Sequence, residues 1–143
     1  MNIGELLRKS NIGMIFSNQP DAVKTERDRF IKESAGSFIG ITSANHCIAE
    51  TGILVLRTAP GNERIVSVLP SIHVAVIKLE QVIADFKELY TLLDKDLKNS
   101  QQGIENGMTF ITGPSKTADI EATMVHGAHG PREVYIYVVT GTC

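Results

Sequence analysis

Residues 73–97, HVAVIKLEQVIADFKELYTLLDKDL, set the clearest strand of the chain beside its clearest helix. Val74, Ala75, Val76 and Ile77 form an unbroken apolar run, as in a strand buried on both faces. Beyond them Leu79, Val82, Ile83, Phe86, Tyr90, Leu93 and Leu97 recur at helical spacing, with Glu80, Asp85, Lys87, Glu88, Lys95 and Lys98 opposite. A helix over 79–97 with one buried stripe is the expectation. Working outward toward higher numbers, a polar loop leads to a strand over 108–112. Gly113-Pro114 then turns the chain into a short helix over 117–125, and a second turn at 127–131 precedes an apolar strand over 134–139. Ile136 is expected inside, so that an aspartate there would bury an unpaired charge.

Toward lower numbers the pattern is more antiparallel. Residues 38–42 and 52–56 read as strands. Ala59-Pro60-Gly61-Asn62 is a turn by composition, and 65–69 returns as a strand, giving a hairpin over 52–69. Residues 22–34 suit a surface helix with a thin apolar stripe. A short helix over 3–9 and a strand over 14–16 complete the reading. Strand, helix, strand, helix, strand in the second half favours a parallel sheet. The fold class is α/β, a mixed but mostly parallel sheet with helices on both faces, in one domain over 1–143.

Composition narrows the function. The 143 residues are 43% apolar and 21% charged with a net charge of −2, the balance of a globular chain that needs no disulfide or metal to hold its core. No basic stripe and no tryptophan offer a nucleic-acid footprint. Cys47 and Cys143 are too few for a four-thiolate cluster or a disulfide scaffold, so a cytoplasmic setting is expected. Neither a signal-peptide core nor an apolar run of about 18 residues occurs, so no membrane insertion is expected.

Three stretches carry a resemblance. They are Gly40-Ile41-Thr42 with Ile48-Ala49-Glu50-Thr51-Gly52 and Leu54-Val55-Leu56; Arg64 to Pro70 with His73; and Ile111 to Glu121 with Gly127 and His129-Gly130-Pro131-Arg132-Glu133. In order and spacing they resemble the lactate utilization protein C family, the LUD domain. The resemblance covers roughly 38–140; residues 1–37 match poorly and read as a shortened N-terminal part. Where the family more often has Gly-Ala-Asp, this chain has Ser43-Ala44-Asn45, which removes a carboxylate at position 45. The resemblance implies a NagB/RpiA/CoA-transferase-like fold. It also implies a part in oxidising L-lactate to pyruvate with iron–sulfur partner proteins.

The residues themselves leave several chemistries open. A strand, a Gly-Pro turn and a helix start would expose free N–H groups to an anion, with Thr112, Gly113, Ser115, Lys116 and Thr117 around it. The plainer use of Ser115 or Thr117 is to cap that helix, with Asp119 complementing its dipole. Glu50, beside Gly52, could act as a base or could pair with a neighbouring cation. His129 could donate a proton and Arg132 hold an anion, or both could bond loop carbonyls. His126 with His129, and His46 with Cys47, match no metal signature, so neither metal nor cofactor is expected. Cys47 reads as a small buried residue. A non-redox subunit served by iron–sulfur subunits is the leading reading, with a homo-oligomer possible. The alternative is a small-molecule enzyme, or an anion- or metabolite-binding module, of the same fold. Activity of the isolated chain is left open.

Overall fold

The computed structural model describes residues 9, 13–15, 24–57, 63–99, 107–118, 124–127 and 129–141. Of the expected helix over 3–9 only Lys9 is described, and it is helical; Met14 and Ile15 belong to no regular element. The α/β class is the one found. In chain order the elements are α1 (Lys24–Ala35), β1 (Ile39–Thr42), β2 (His46–Ile48), β3 (Ile53–Arg57), α2 (Glu63–Val68), β4 (Ile72–Lys78), a 3-10 turn (Leu79–Gln81), β5 (Val82–Ile83), α3 (Phe86–Asn99), β6 (Met108–Ile111), β7 (Lys116–Ala118), β8 (Met124–His126) and β9 (Glu133–Val139).

The strands divide between a parallel sheet, β1-β4-β9, a mixed sheet, β5-β2-β3-β6, and the antiparallel pair β7-β8. Two cores follow from the period-2 alternation of β2 and β3. Cys47, Leu54 and Leu56 face Ala75 and Ile77 of the parallel sheet. Ile48, Val55 and Ile83 point the other way, onto Leu89 and Leu93 of α3. β3 is therefore buried on both faces, although both of its pairings are antiparallel.

Three expected elements differ, each for a physical reason. The predicted hairpin over 52–69 is not formed, because Glu63–Val68 is the helix α2. It lies against β1 with the Val66 carbonyl over Gly40, where a side chain would collide: a Cβ on Gly40 would stand 2.1 Å from that oxygen. This contact outweighs the strand preference of Ile65 and Val66. The helix over 79–97 begins only at Phe86. The Asp85 carboxylate accepts from the Glu88 N–H at 2.8 Å, while the Glu88 carboxylate accepts from the Ala84 N–H at 2.7 Å. The Asp85 side chain caps the helix start here, and the stripe is Phe86, Leu89, Leu92 and Leu93. Tyr90, expected on it, is 68% exposed. Finally, the described ends of the expected helix over 117–125 are the strands β7 and β8, paired Lys116 with His126 and Thr117 with Val125.

The faces of the parallel sheet are unequal. Gly40, Thr42, His73, Ala75 and Ile77 are buried on the inner face. The outer face stays open: Ile39 and Ile41 are each 50% exposed, Tyr135 46% and Tyr137 58%. β9 is an outer strand of this sheet, and even its inner-facing Ile136 is partly open, contrary to its expected core position.

Candidate anion-binding site

The segment expected to bind an anion is held by backbone hydrogen bonds between two loops. The Ser115 N–H donates to the Pro131 carbonyl at 2.8 Å, and the Gly127 N–H donates to the Ser115 carbonyl at 2.9 Å. Ser115 Oγ accepts from the His129 N–H at 3.3 Å. Gly130 lies so close that a Cβ on it would meet Ser115 Cβ at 3.2 Å. Gly127, with φ +81°, supports the stem of Arg132, and the Arg132 N–H donates to the Ser71 carbonyl at 2.7 Å. Ser115, Lys116, His129 and Arg132 thus share one pair of loops, with Lys116, His129 and Arg132 exposed.

The helix expected to supply free N–H groups to an anion is replaced by β7, so the helix-terminus argument does not apply at 113–117. Ser115 joins two loops rather than capping a helix. Thr117 lies in β7 and pairs with Val125. Lys116 and Arg132 are the cations left for an anion. The loop pair lies at the amino ends of β4 and β9, since Ser71 and Arg132 immediately precede those strands. Open α/β sheets more often bind ligands at the carboxyl ends. Here Gln81 occupies that region: its amide donates to the Ala44 carbonyl and its Oε1 accepts from the Lys78 N–H at 2.7 Å.

Glu50, Thr51 and Gly52 form the turn between β2 and β3. Gly52 has φ +69° and donates to the Ile48 carbonyl at 2.7 Å, a left-handed conformation that favours glycine. The Ala49 and Glu50 N–H groups donate to the carbonyls of Ile83 and Ala84, pinning the turn beside β5. Leu54 with Ile111 is the last pair of the β3–β6 ladder, so the turn at 50–52 and the segment from Thr112 onward leave the same end of that pair. The two motifs, 61 positions apart (113 less 52), thus come to one edge of the mixed sheet. Among the described residues, no hydrogen bond or ion pair joins Glu50, Lys116 and His129 to one another. Asn45 is structural: its Oδ1 accepts from the Arg57 N–H at 2.7 Å, and its own N–H donates to the Val55 carbonyl.

One buried polar pair was not foreseen. His73 Nε2 and Thr42 Oγ1 lie 2.8 Å apart inside the parallel sheet, while His73 Nδ1 has no protein partner. Burial holds the imidazole pKa below its ordinary value, favouring the neutral form. The sequence contained His73 only as a family marker; nothing local shows that β1 brings Thr42 to it. His46 is likewise shifted down, first by burial and then by the Arg57 charge. Cys47 is a free thiol in the core, and burial raises its pKa, which disfavours the reactive thiolate. Among the described residues, no group of three His, Cys, Asp or Glu side chains is placed to hold a metal ion. The side chain of His126 and residue Cys143 lie outside the described residues.

These features define an α/β domain with its candidate ligand-facing residues on loops at the strand ends. The chain belongs to the LUD domain family, whose model matches residues 2–139. It is 35% identical over 115 residues to lactate utilization protein C of Halalkalibacterium halodurans, covering 80% of this chain and 50% of that protein. Lactate utilization protein B of Shouchella clausii is 31% identical over 114 residues, 79% of this chain and 22% of that protein. The chain thus spans about half the length of the protein C relatives it matches. A DUF162 family protein from Deinococcus radiodurans shares the fold, with TM-score 0.53 at 20% identity over 76% of this chain and 57% of the other.

Proposed function

We propose that the chain serves in lactate utilization as a non-redox component that works alongside iron–sulfur partner proteins in the cytoplasm. Its membership of the LUD domain family and its similarity to lactate utilization protein C support this reading. Two cysteines, one of them buried in the core, cannot supply a cluster path for electrons. Among the described residues, no helix is long and apolar enough to cross a membrane.

Within that role, the loop pair 112–116 and 127–132 binds a small carboxylate. What supports this is that Lys116, Arg132 and His129 stand on the two segments that the Ser115–Pro131, Gly127–Ser115 and His129–Ser115 hydrogen bonds tie together. Two cations and an imidazole on a preformed frame suit a hydroxy- or keto-acid: the cations attract the carboxylate, and the imidazole can bond the neighbouring oxygen. Glu50 and Gly52 reach the edge where Thr112 lies, which favours a second reading in which Glu50 orients or deprotonates the bound acid. Titration of the 15N-labelled chain with L-lactate and with pyruvate tests both readings. Shifts at Ser115, Lys116 and His129 that vanish in Lys116→Ala and Arg132→Ala are expected. Shifts elsewhere alone would refute the site. Turnover by the isolated chain, lost in Glu50→Gln, would select the second reading.

A further inference from the structure

The outer face of the parallel sheet is the largest feature that this function leaves unused. It presents Ile39 and Ile41 of β1, the half-buried Val74 and Val76 of β4, and Tyr135 and Tyr137 of β9. Wholly parallel sheets occur almost only with both faces covered. Tyr135 and Tyr137 alone leave roughly 200 Å² open, taking about 200 Å² for a whole tyrosine. The face as a whole exposes on the order of 500 Å² of apolar side chain, near the top of what a monomer shows.

We propose that this face is covered by the same face of a second copy of the chain. Two such faces meeting remove on the order of 1,000 Å² from water, the threshold for a specific interface. Charge then selects the arrangement. Among the described residues, the strands put two charged side chains on this face, at opposite ends. Glu133 opens β9, beside Ile72 in the register, and Lys78 closes β4, beside Val139. Six residues separate those two levels (78 less 72), or about 20 Å of strand.

A two-fold axis along the strands keeps each charge at its own level, with Lys78 of both copies at one end and Glu133 of both at the other. An axis across the strands sets Glu133 of each copy at the level of Lys78 of the other, at both ends of the apolar face. Lys78 has only a loose exposed contact with Glu80, at 3.5 Å, and Glu133 accepts a hydrogen bond from Tyr135, so both remain able to reach across. The closed two-fold contact uses the face completely and leaves no copy of it to recruit further chains.

Sedimentation velocity of the whole chain tests the arrangement. A dimer of twice 15.6 kDa is expected. Ile41→Lys combined with Tyr137→Lys should yield a monomer with unchanged far-UV circular dichroism. Because that double variant could itself unfold, the exposed pair provides an independent measurement. Glu133→Lys should weaken dimerisation at least tenfold, and adding Lys78→Glu should restore most of it. A wild-type chain that stays monomeric at its highest soluble concentration overturns the proposal. So does a dimer indifferent to Glu133→Lys, or one that the reversed pair does not recover.

Discussion

Gly40→Ala tests whether the contact between α2 and the parallel sheet is as close as described. Gly40 has no left-handed φ, so alanine costs nothing in backbone conformation there. The added methyl would stand 2.1 Å from the Val66 carbonyl oxygen, 2.8 Å from Pro70 Cγ and 3.2 Å from the Val66 carbonyl carbon. Two of these neighbours are backbone, which cannot rotate away, so α2 must lift by more than an ångström. Forced overpacking of this kind costs about 2–3 kcal/mol. At about 4 °C per kcal/mol for a chain of this length, the melting temperature should fall by about 8–12 °C. Gly52→Ala is the matched control: φ is +69° and nothing lies within 4 Å of the new methyl. Only the backbone penalty applies, about 1 kcal/mol, or about 4 °C. Thermal melts followed by far-UV circular dichroism measure both. A Gly40→Ala protein melting within about 2 °C of wild type, or a Gly52→Ala protein that loses more, would refute the reasoning.

The two sides of α3 should separate sharply: Leu89→Ala, at a 1% exposed position, should cost about 2–5 kcal/mol in urea unfolding, whereas Tyr90→Ala, at a 68% exposed one, should cost under about 1 kcal/mol. For His73, the unfolded chain takes up a proton near pH 6.5 while the buried ring stays neutral, so its contribution is present above that pH and declines below it. Urea midpoints should drop below about pH 6.5 with a slope from this group of at most about 1.4 kcal/mol per pH unit, and His73→Leu should flatten that limb. Thr42→Val leaves His73 Nε2 buried and unpartnered, so a loss of about 1–3 kcal/mol at pH 8 is expected from the same measurement. Lys116→Ala should abolish lactate-induced shifts while moving the melting temperature little, because an exposed charge contributes at most about 1 kcal/mol.

The α/β class and the strands β1, β3, β4, β6 and β9 were legible because apolar runs and turn residues are local signals. The reach of α3 was only half legible. Its stripe is visible, but Val82 and Ile83 fit a helical period as well as a short strand, and it is the cap that Asp85 places on the Glu88 N–H that divides strand from helix. Residues 63–68 could not be read from propensity at all. Ile65 and Val66 prefer strands, and the glycine that allows the Val66 carbonyl to approach the sheet lies 26 positions before it (66 less 40). The loop site shows the same division. Ser115, Lys116, His129 and Arg132 were recognisable by type and by family pattern, whereas their support is a set of backbone bonds to Pro131, Gly127 and Ser71 that composition does not encode. The described ends of the helix expected at 117–125 are strands because β7 and β8 satisfy each other's backbone groups.

The pairing of β4 with β9 has a consequence during synthesis. Ile72 meets Glu133, 61 residues later (133 less 72), whereas the β2–β3 turn joins Ile48 to Ile53 across five (53 less 48). At about 5–20 residues per second, β4 waits roughly 3–12 s on the ribosome before its second neighbour exists. The hairpin and α3 can form in that interval, since their partners are already made. For those seconds one edge of Ile72–Lys78 is an apolar strand with unused hydrogen-bonding groups, the template on which nascent chains associate wrongly. That edge stays unpaired by β9 from the translation of residue 78 until that of residue 139. Slowed elongation at the codons in between would lengthen the exposure without changing the native state.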